Sequence, residues 1–222
     1  MSANTPALSL QYLLRPVQAT TETPALLILL HGVGSNERDL FGLAPDLDPQ
    51  FTVVSARAPL ALPYGGFGWY QVQFTPQGPK IDTAAALRGQ AQLNQFIDQA
   101  QAAFDVPPER TLLMGFSQGA IMSLNTMLTN SESIGGVVAM SGRLLPDAQA
   151  HYVTPERLEG FPVIAVHGTF DDVLPIGDGR AVKALLETLP VDFSYHEYPM
   201  GHHISDASFA EIQRWLGEWL AR

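Results

Sequence analysis

Ser117 stands between two glycines in Gly115-Phe116-Ser117-Gln118-Gly119, with an apolar segment ahead of it and small or apolar residues behind. Arg110 to Phe116 (RTLLMGF) reads as a short buried strand, and Gln118 to Leu128 (QGAIMSLNTML) reads as a helix. A serine on such a strand–turn–helix corner has its oxygen pushed out above the sheet edge. The corner forces the serine into a strained backbone conformation, and only the smallest neighbours fit beside it. A serine hydroxyl is a poor nucleophile at neutral pH. Acyl transfer, the chemistry it could do here, needs a base within hydrogen-bond reach and an acid that orients the base.

Candidates for both roles follow in the chain. After the apolar run Pro162 to Val166, the segment His167-Gly168-Thr169-Phe170-Asp171-Asp172 puts two carboxylates in a loop at the carboxyl end of a strand, the edge where sheets of this kind carry their sites. The residues alone do not choose between Asp171 and Asp172. After Phe193 to Tyr198 comes Pro199-Met200-Gly201-His202-His203, where either imidazole could reach back to Ser117, while His196 falls inside the strand. Attack on a carbonyl builds negative charge on its oxygen, which fixed backbone amides stabilise without reorganising. The Gln118 amide, at the start of a helix, is one candidate donor. The other is Val33, in the His31-Gly32-Val33-Gly34 loop that follows the LLILL run. His31 itself is a poor candidate base, because in folds with this corner the acid and the base follow the serine in the chain.

The elements that must position these groups alternate. Strands are expected near 8–14, 25–31, 51–56, 110–116, 134–140, 162–167 and 192–198, with helices near 83–104, 118–129, 178–189 and 204–221. Buried strands separated by helices predict an α/β fold: a mostly parallel central sheet with helices on both faces. The last helix carries Ile212, Trp215, Leu216, Trp219 and Leu220 on one stripe, read as its sheet-facing side. No linker, internal repeat or low-complexity tract interrupts the chain, and residues 1–222 are read as a single domain. Its irregular stretch is 58–82, whose prolines and glycines exclude a long helix. Such a segment is expected to wall an active site, with Phe67, Trp69, Tyr70 and Phe74 lining an apolar substrate cleft.

Composition removes several classes of function. A formal net charge of −10 argues against nucleic acid or an anionic membrane surface as partner. The absence of cysteine excludes disulfides, thiolate metal sites and a cysteine nucleophile. The longest aliphatic run, Ala25 to Leu30, is far short of the ~20 residues that cross a bilayer, so no stable membrane insertion is expected. The opening MSANTPALSLQYLLRP lacks a basic segment and is broken by Gln11 and Arg15, which predicts no secretory signal and a cytoplasmic location.

Taken in order, HGVG at 31–34, RAPL at 57–60, GFSQG at 115–119, HGTFDD at 167–172 and MGHH at 200–203 resemble the carboxylesterase and acyl-protein thioesterase (phospholipase/carboxylesterase) family of α/β-hydrolases, over about residues 8 to 221. The resemblance implies an α/β-hydrolase fold without a large lid domain. By its HGxxD and GH patterns it implies Asp171 as the acid and His202 as the base, with Ser117 as nucleophile and Val33 and Gln118 as oxyanion-hole amides. It implies neither metal nor cofactor, and a small-molecule partner, a carboxylic ester of short to medium acyl chain. Thioester cleavage from lipidated proteins and lysophospholipid cleavage are the alternatives within the family, and a homodimer is compatible with it. The chain departs from the family pattern at Asp172, where a proline is common, and in its doubled histidine. The competing class is a non-catalytic binding protein on the same scaffold.

Overall fold

The apolar run Ala25–Leu30 is completely buried, and its side chains divide by twos: Leu26, Ile28 and Leu30 enter one core, Ala25, Leu27 and Leu29 the other. A strand covered on both faces needs no polar alternation, which is why this segment reads as unbroken aliphatic sequence. It forms β2 in a computed structural model that describes residues 6–19, 23–75, 78–146 and 148–222.

Seven strands make the sheet, in the order β1 (Tyr12–Arg15), β3 (Phe51–Ala56), β2, β8 (Thr111–Phe116), β9 (Gly136–Met140), β10 (Pro162–Gly168) and β11 (Asp192–Tyr198). Every neighbouring pair is parallel except β1 with β3. Parallel pairs require crossovers, and these supply the covering layers. Helices α2 (Thr83–Phe104), α3 (Gln118–Asn130) and α4 (Ile176–Leu186) pack into the core on one face. The short α1 (Arg38–Phe41) and the C-terminal α5 (Asp206–Leu220) cover the other. The α5 stripe expected from sequence faces inward: Ile212, Trp215, Leu216 and Trp219 are buried, and the Trp219 indole N–H donates to the Gly135 carbonyl at 3.0 Å. This is the α/β-hydrolase fold, a mostly parallel sheet between helices, with no large lid among the described residues.

The expected elements form with their ends shifted by a few residues. The exception is 58–82, read from sequence as irregular. It contains two small antiparallel hairpins, β4 (Leu60–Ala61) with β5 (Phe67–Gly68) and β6 (Val72–Thr75) with β7 (Gly78–Ile81). Hairpins this short leave too little periodicity to be read among prolines and glycines.

The site is placed by connectivity. From β2 the chain turns to β3 on one side, while β8 lies on the other. A crevice therefore opens outside the carboxyl ends of β2 and β8, at the point where ligands bind in such sheets. Close approach there depends on glycine: a Cβ at Gly119 would run into the Leu30 carbonyl oxygen at the end of β2, and one at Gly115 into the Gly119 backbone. Gly119→Ala is expected to cost about 3 kcal/mol or to prevent folding, because a strand carbonyl cannot move aside. A urea midpoint equal to wild type would contradict that placement. No helix among the described residues is long and apolar enough to cross a membrane.

Candidate active site

Strand β8 ends at Phe116 and α3 begins at Gln118, leaving Ser117 alone on the corner with φ 54° and ψ −117°. A side chain in this left-handed region is strained, by roughly 1–3 kcal/mol. The corner is held by the Ser117 amide, which donates to the Met140 carbonyl on β9 at 2.9 Å. Gly32 lies so close beneath it that a Cβ there would be 3.1 Å from the Ser117 Cβ.

Beyond the end of β11, the His202 ring lies with Nε2 2.9 Å from Ser117 Oγ and Nδ1 2.7 Å from Asp171 Oδ2. A carboxylate only accepts, so Nδ1 carries the proton and Nε2 is left to accept from the serine hydroxyl. The Phe116 ring packs against the His202 ring at 4.8 Å between centroids. Asp171, in the loop after β10, is buried and fully used: Oδ1 accepts the Val173 and Leu174 amides at 3.0 and 2.8 Å, and Oδ2 faces His202. Its neighbour Asp172 is exposed, as is His203 next to His202. His196, on β11, lies 3.2 Å from Glu211 on α5. The structure therefore brings together Ser117, His202 and Asp171 out of the several acids and imidazoles near these strand ends.

Val33 and Gln118 both line the cleft above Ser117, and among the described residues neither backbone amide donates a hydrogen bond to another group. Two unsatisfied N–H groups beside a serine oxygen can receive a developing oxyanion. The loop carrying Val33 is stitched to the 58–82 segment: the Gly34 amide donates to Phe67 O at 2.8 Å and the Phe67 amide to Ser35 O at 2.7 Å. The Gln118 side chain adds a second tie, accepting from the Trp69 amide at 2.7 Å and donating to the Tyr70 carbonyl at 2.9 Å. Sequence reasoning singled out the Gln118 amide and missed this side chain, whose only signal was an amide-bearing residue directly after the serine.

Of the aromatic residues expected in the cleft, Tyr70 lines it. Burial pushes the Tyr70 hydroxyl up to about 12, so it remains protonated. Trp69 is not brought to the cleft; it is buried in the core, with its indole N–H donating to His31 O at 3.0 Å. Phe67 is also elsewhere, held under the Arg57 guanidinium at 4.5 Å, and Arg57 in turn makes a bidentate pair with the buried Glu37 at 2.6 Å. Both aromatics support the wall from behind, which spacing alone could not reveal. The side chain of Phe74 lies outside the described residues.

His31 has a supporting role. Its Nδ1–H donates to Gly32 O at 2.7 Å, and its Nε2 accepts from the Ala58 amide at 3.1 Å, tying the Val33 loop to the start of the wall. Burial holds its pKa below the ordinary histidine value. The unfolded chain, with a pKa near 6.5, then takes up a proton that the folded one refuses, so stability should fall as the pH drops below about 6.5. A His31→Gln variant should show a shallower loss of unfolding free energy between roughly pH 6.5 and 5. An identical slope in both proteins would mean His31 is not the group responsible.

A parallel sheet carrying a serine at its elbow, with an imidazole and a carboxylate aligned behind it, defines an α/β-hydrolase. The chain belongs to the phospholipase/carboxylesterase family of ester-hydrolysing enzymes, whose family model matches residues 16–220. It is 28% identical to acyl-protein thioesterase 1 of Emericella nidulans over 222 residues, covering 90% of this chain and 92% of the relative. Among solved structures it is similar to esterase PE8, with a TM-score of 0.77 and 30% identity over 95% of this chain and 98% of that one. It is also similar to the carboxylesterase of Bacillus cereus, with a TM-score of 0.82 and 22% identity over 95% of each chain.

Proposed function

We propose that this protein is a serine carboxylesterase in which Ser117 is the nucleophile, His202 the general base and acid, and Asp171 the orienting acid. The observation that carries the proposal is the unbroken relay from Ser117 Oγ through His202 to Asp171, at 2.9 and 2.7 Å. Ser117 attacks the ester carbonyl as His202 Nε2 takes its proton. The Val33 and Gln118 amides hold the oxyanion, and the imidazolium, steadied by Asp171, protonates the departing alcohol. Water, activated by the same imidazole, then releases the acid from Ser117.

The cleft walls of Val33, Val72, Ile121, Val173 and Leu174 suit the carbon chain of an ester. Val33 and Val72 also line a second hollow that continues towards Leu60 and Tyr64, which supports short to medium acyl chains lying along this path. The test is hydrolysis of p-nitrophenyl esters from acetyl to palmitoyl. A serine-dependent rate that peaks at short or medium chains is the expected result. Activity confined to palmitoyl thioesters would instead favour the thioesterase reaction named for the fungal relative. Failure of Ser117 to react with a fluorophosphonate probe would favour a non-catalytic binding protein.

A further inference from the structure

We propose that Arg143 makes this esterase selective for esters bearing a second, anionic carboxylate, on either the acyl or the alcohol side. The inference rests on the esterase reading and adds the substrate class.

Arg143 is brought to the site by a local device. Strand β9 ends at Met140, and Ser141 turns the chain with φ 48° while its amide donates to the Val166 carbonyl at 2.9 Å. Gly142 then packs so tightly on α3 that a Cβ there would stand 2.7 Å from the Ala120 Cβ. The next residue, Arg143, lines the same cleft as Ser117 and Gln118.

Most arginines among the described residues have an acceptor for their guanidinium. Arg57, Arg157, Arg180, Arg214 and Arg222 each face a carboxylate, and Arg15 donates to the Asp48 and Phe51 carbonyls. Among the described residues no carboxylate, carbonyl or hydroxyl accepts from Arg143, although it is half-buried and its Nε is fully buried. Among the described residues it is the one charged side chain in the cleft lining, beside a Tyr70 that stays neutral and the aliphatic walls. The acid of the proposed mechanism, Asp171, is engaged by two amides and His202. A guanidinium partly removed from water without a partner costs free energy that an anion can offset, and its planar fork matches a carboxylate. The walls next to it accept methylenes. The complementary ligand is therefore a short carbon chain that ends in a carboxylate and carries the scissile ester at its other end.

The test is kcat/KM for monomethyl glutarate against methyl valerate, which differ only in a terminal carboxylate in place of a methyl. Carboxymethyl butyrate against ethyl butyrate makes the same replacement on the alcohol side instead. Wild type should favour the anionic ester of one pair by about tenfold or more, the worth of one charge-assisted contact. Arg143→Gln should bring that ratio to about one, and Arg143→Lys should retain part of it. The pair that responds tells which side of the ester faces Arg143. A ratio unchanged by Arg143→Gln in both pairs overturns the proposal. In a Ser117→Ala background, glutarate should raise the melting temperature, and Arg143→Gln should abolish the rise. Stabilisation that survives this substitution, or no stabilisation, also counts against the proposal. If no ester is cleaved in a Ser117-dependent way, the esterase reading falls, and the glutarate measurement still decides the role of Arg143.

Discussion

Ser117→Ala should lower kcat by roughly 10⁴- to 10⁶-fold on every ester the enzyme cleaves, while leaving the fold and KM nearly as they are. The loss is large because, in the proposed mechanism, the nucleophile and base act as a unit: without Oγ, the imidazole 2.9 Å away has no proton to take and no covalent intermediate forms. On the proposed mechanism, any residual rate would report binding and the Val33 and Gln118 amides alone. A variant retaining a tenth of the wild-type rate would remove Ser117 from the mechanism. The corner adds a stability test. Ser117 sits at φ 54°, where alanine is strained as much as serine and glycine is not. Ser117→Gly and Ser117→Ala both lack the hydroxyl, so their difference isolates the backbone. The glycine variant should be the more stable by about 1 kcal/mol, once strain relief is offset by the greater freedom of glycine when unfolded. Equal urea midpoints would mean that the corner is not under strain.

The second large effect is expected for Asp171→Asn, about 10⁴-fold in kcat with little change in KM. The direction follows from the contacts of the two carboxylate oxygens. Oδ1 accepts the Val173 and Leu174 amides, so an asparagine must keep its carbonyl oxygen there and turn its NH₂ towards His202 Nδ1. An NH₂ can only donate, so Nδ1 must accept and the ring proton moves to Nε2, where it faces the serine hydroxyl instead of accepting from it. The imidazole is then present, aligned and in the wrong tautomer. Because the amide contacts persist, the melting temperature should change little, separating this effect from unfolding. Asp172→Asn, on the exposed neighbour, is the control and should stay within about twofold of wild type. If the two variants exchanged these phenotypes, the assignment of the acid would be reversed.

Much of this was legible in the chain because it depends on local chemistry. The alternation of apolar runs with amphipathic stretches implied the parallel sheet and its covering helices, since a buried parallel strand such as Ala25–Leu30 must be aliphatic on both faces. The glycines around Ser117 announced the corner, since only a residue without a side chain can sit against the Leu30 carbonyl. The 58–82 segment was legible only as a wall. That Tyr70 faces the cleft while Trp69 faces the core depends on the Gln118 side chain, which binds both backbones from across the site. Phe67 is held by Arg57 and Glu37, residues that no spacing rule connects to it.

The sequence by itself determined the kind of protein: the order of strands and helices, the serine corner, and acids and imidazoles placed at the correct strand ends, all encoded by patterns a few residues long. Tertiary structure decided between neighbours. Asp171 and Asp172, like His202 and His203, have the same chemistry and adjacent positions, so their chemistry does not separate them, and in the sequence only the family resemblance favoured Asp171 and His202. They differ in direction, since the loops after β10 and β11 turn one of each pair inward to the other and expose its neighbour. The same holds for Arg143. In the sequence it is one of twelve basic residues, and only the turn at Ser141 and the packing of Gly142 on α3 make it a charged group of the cleft.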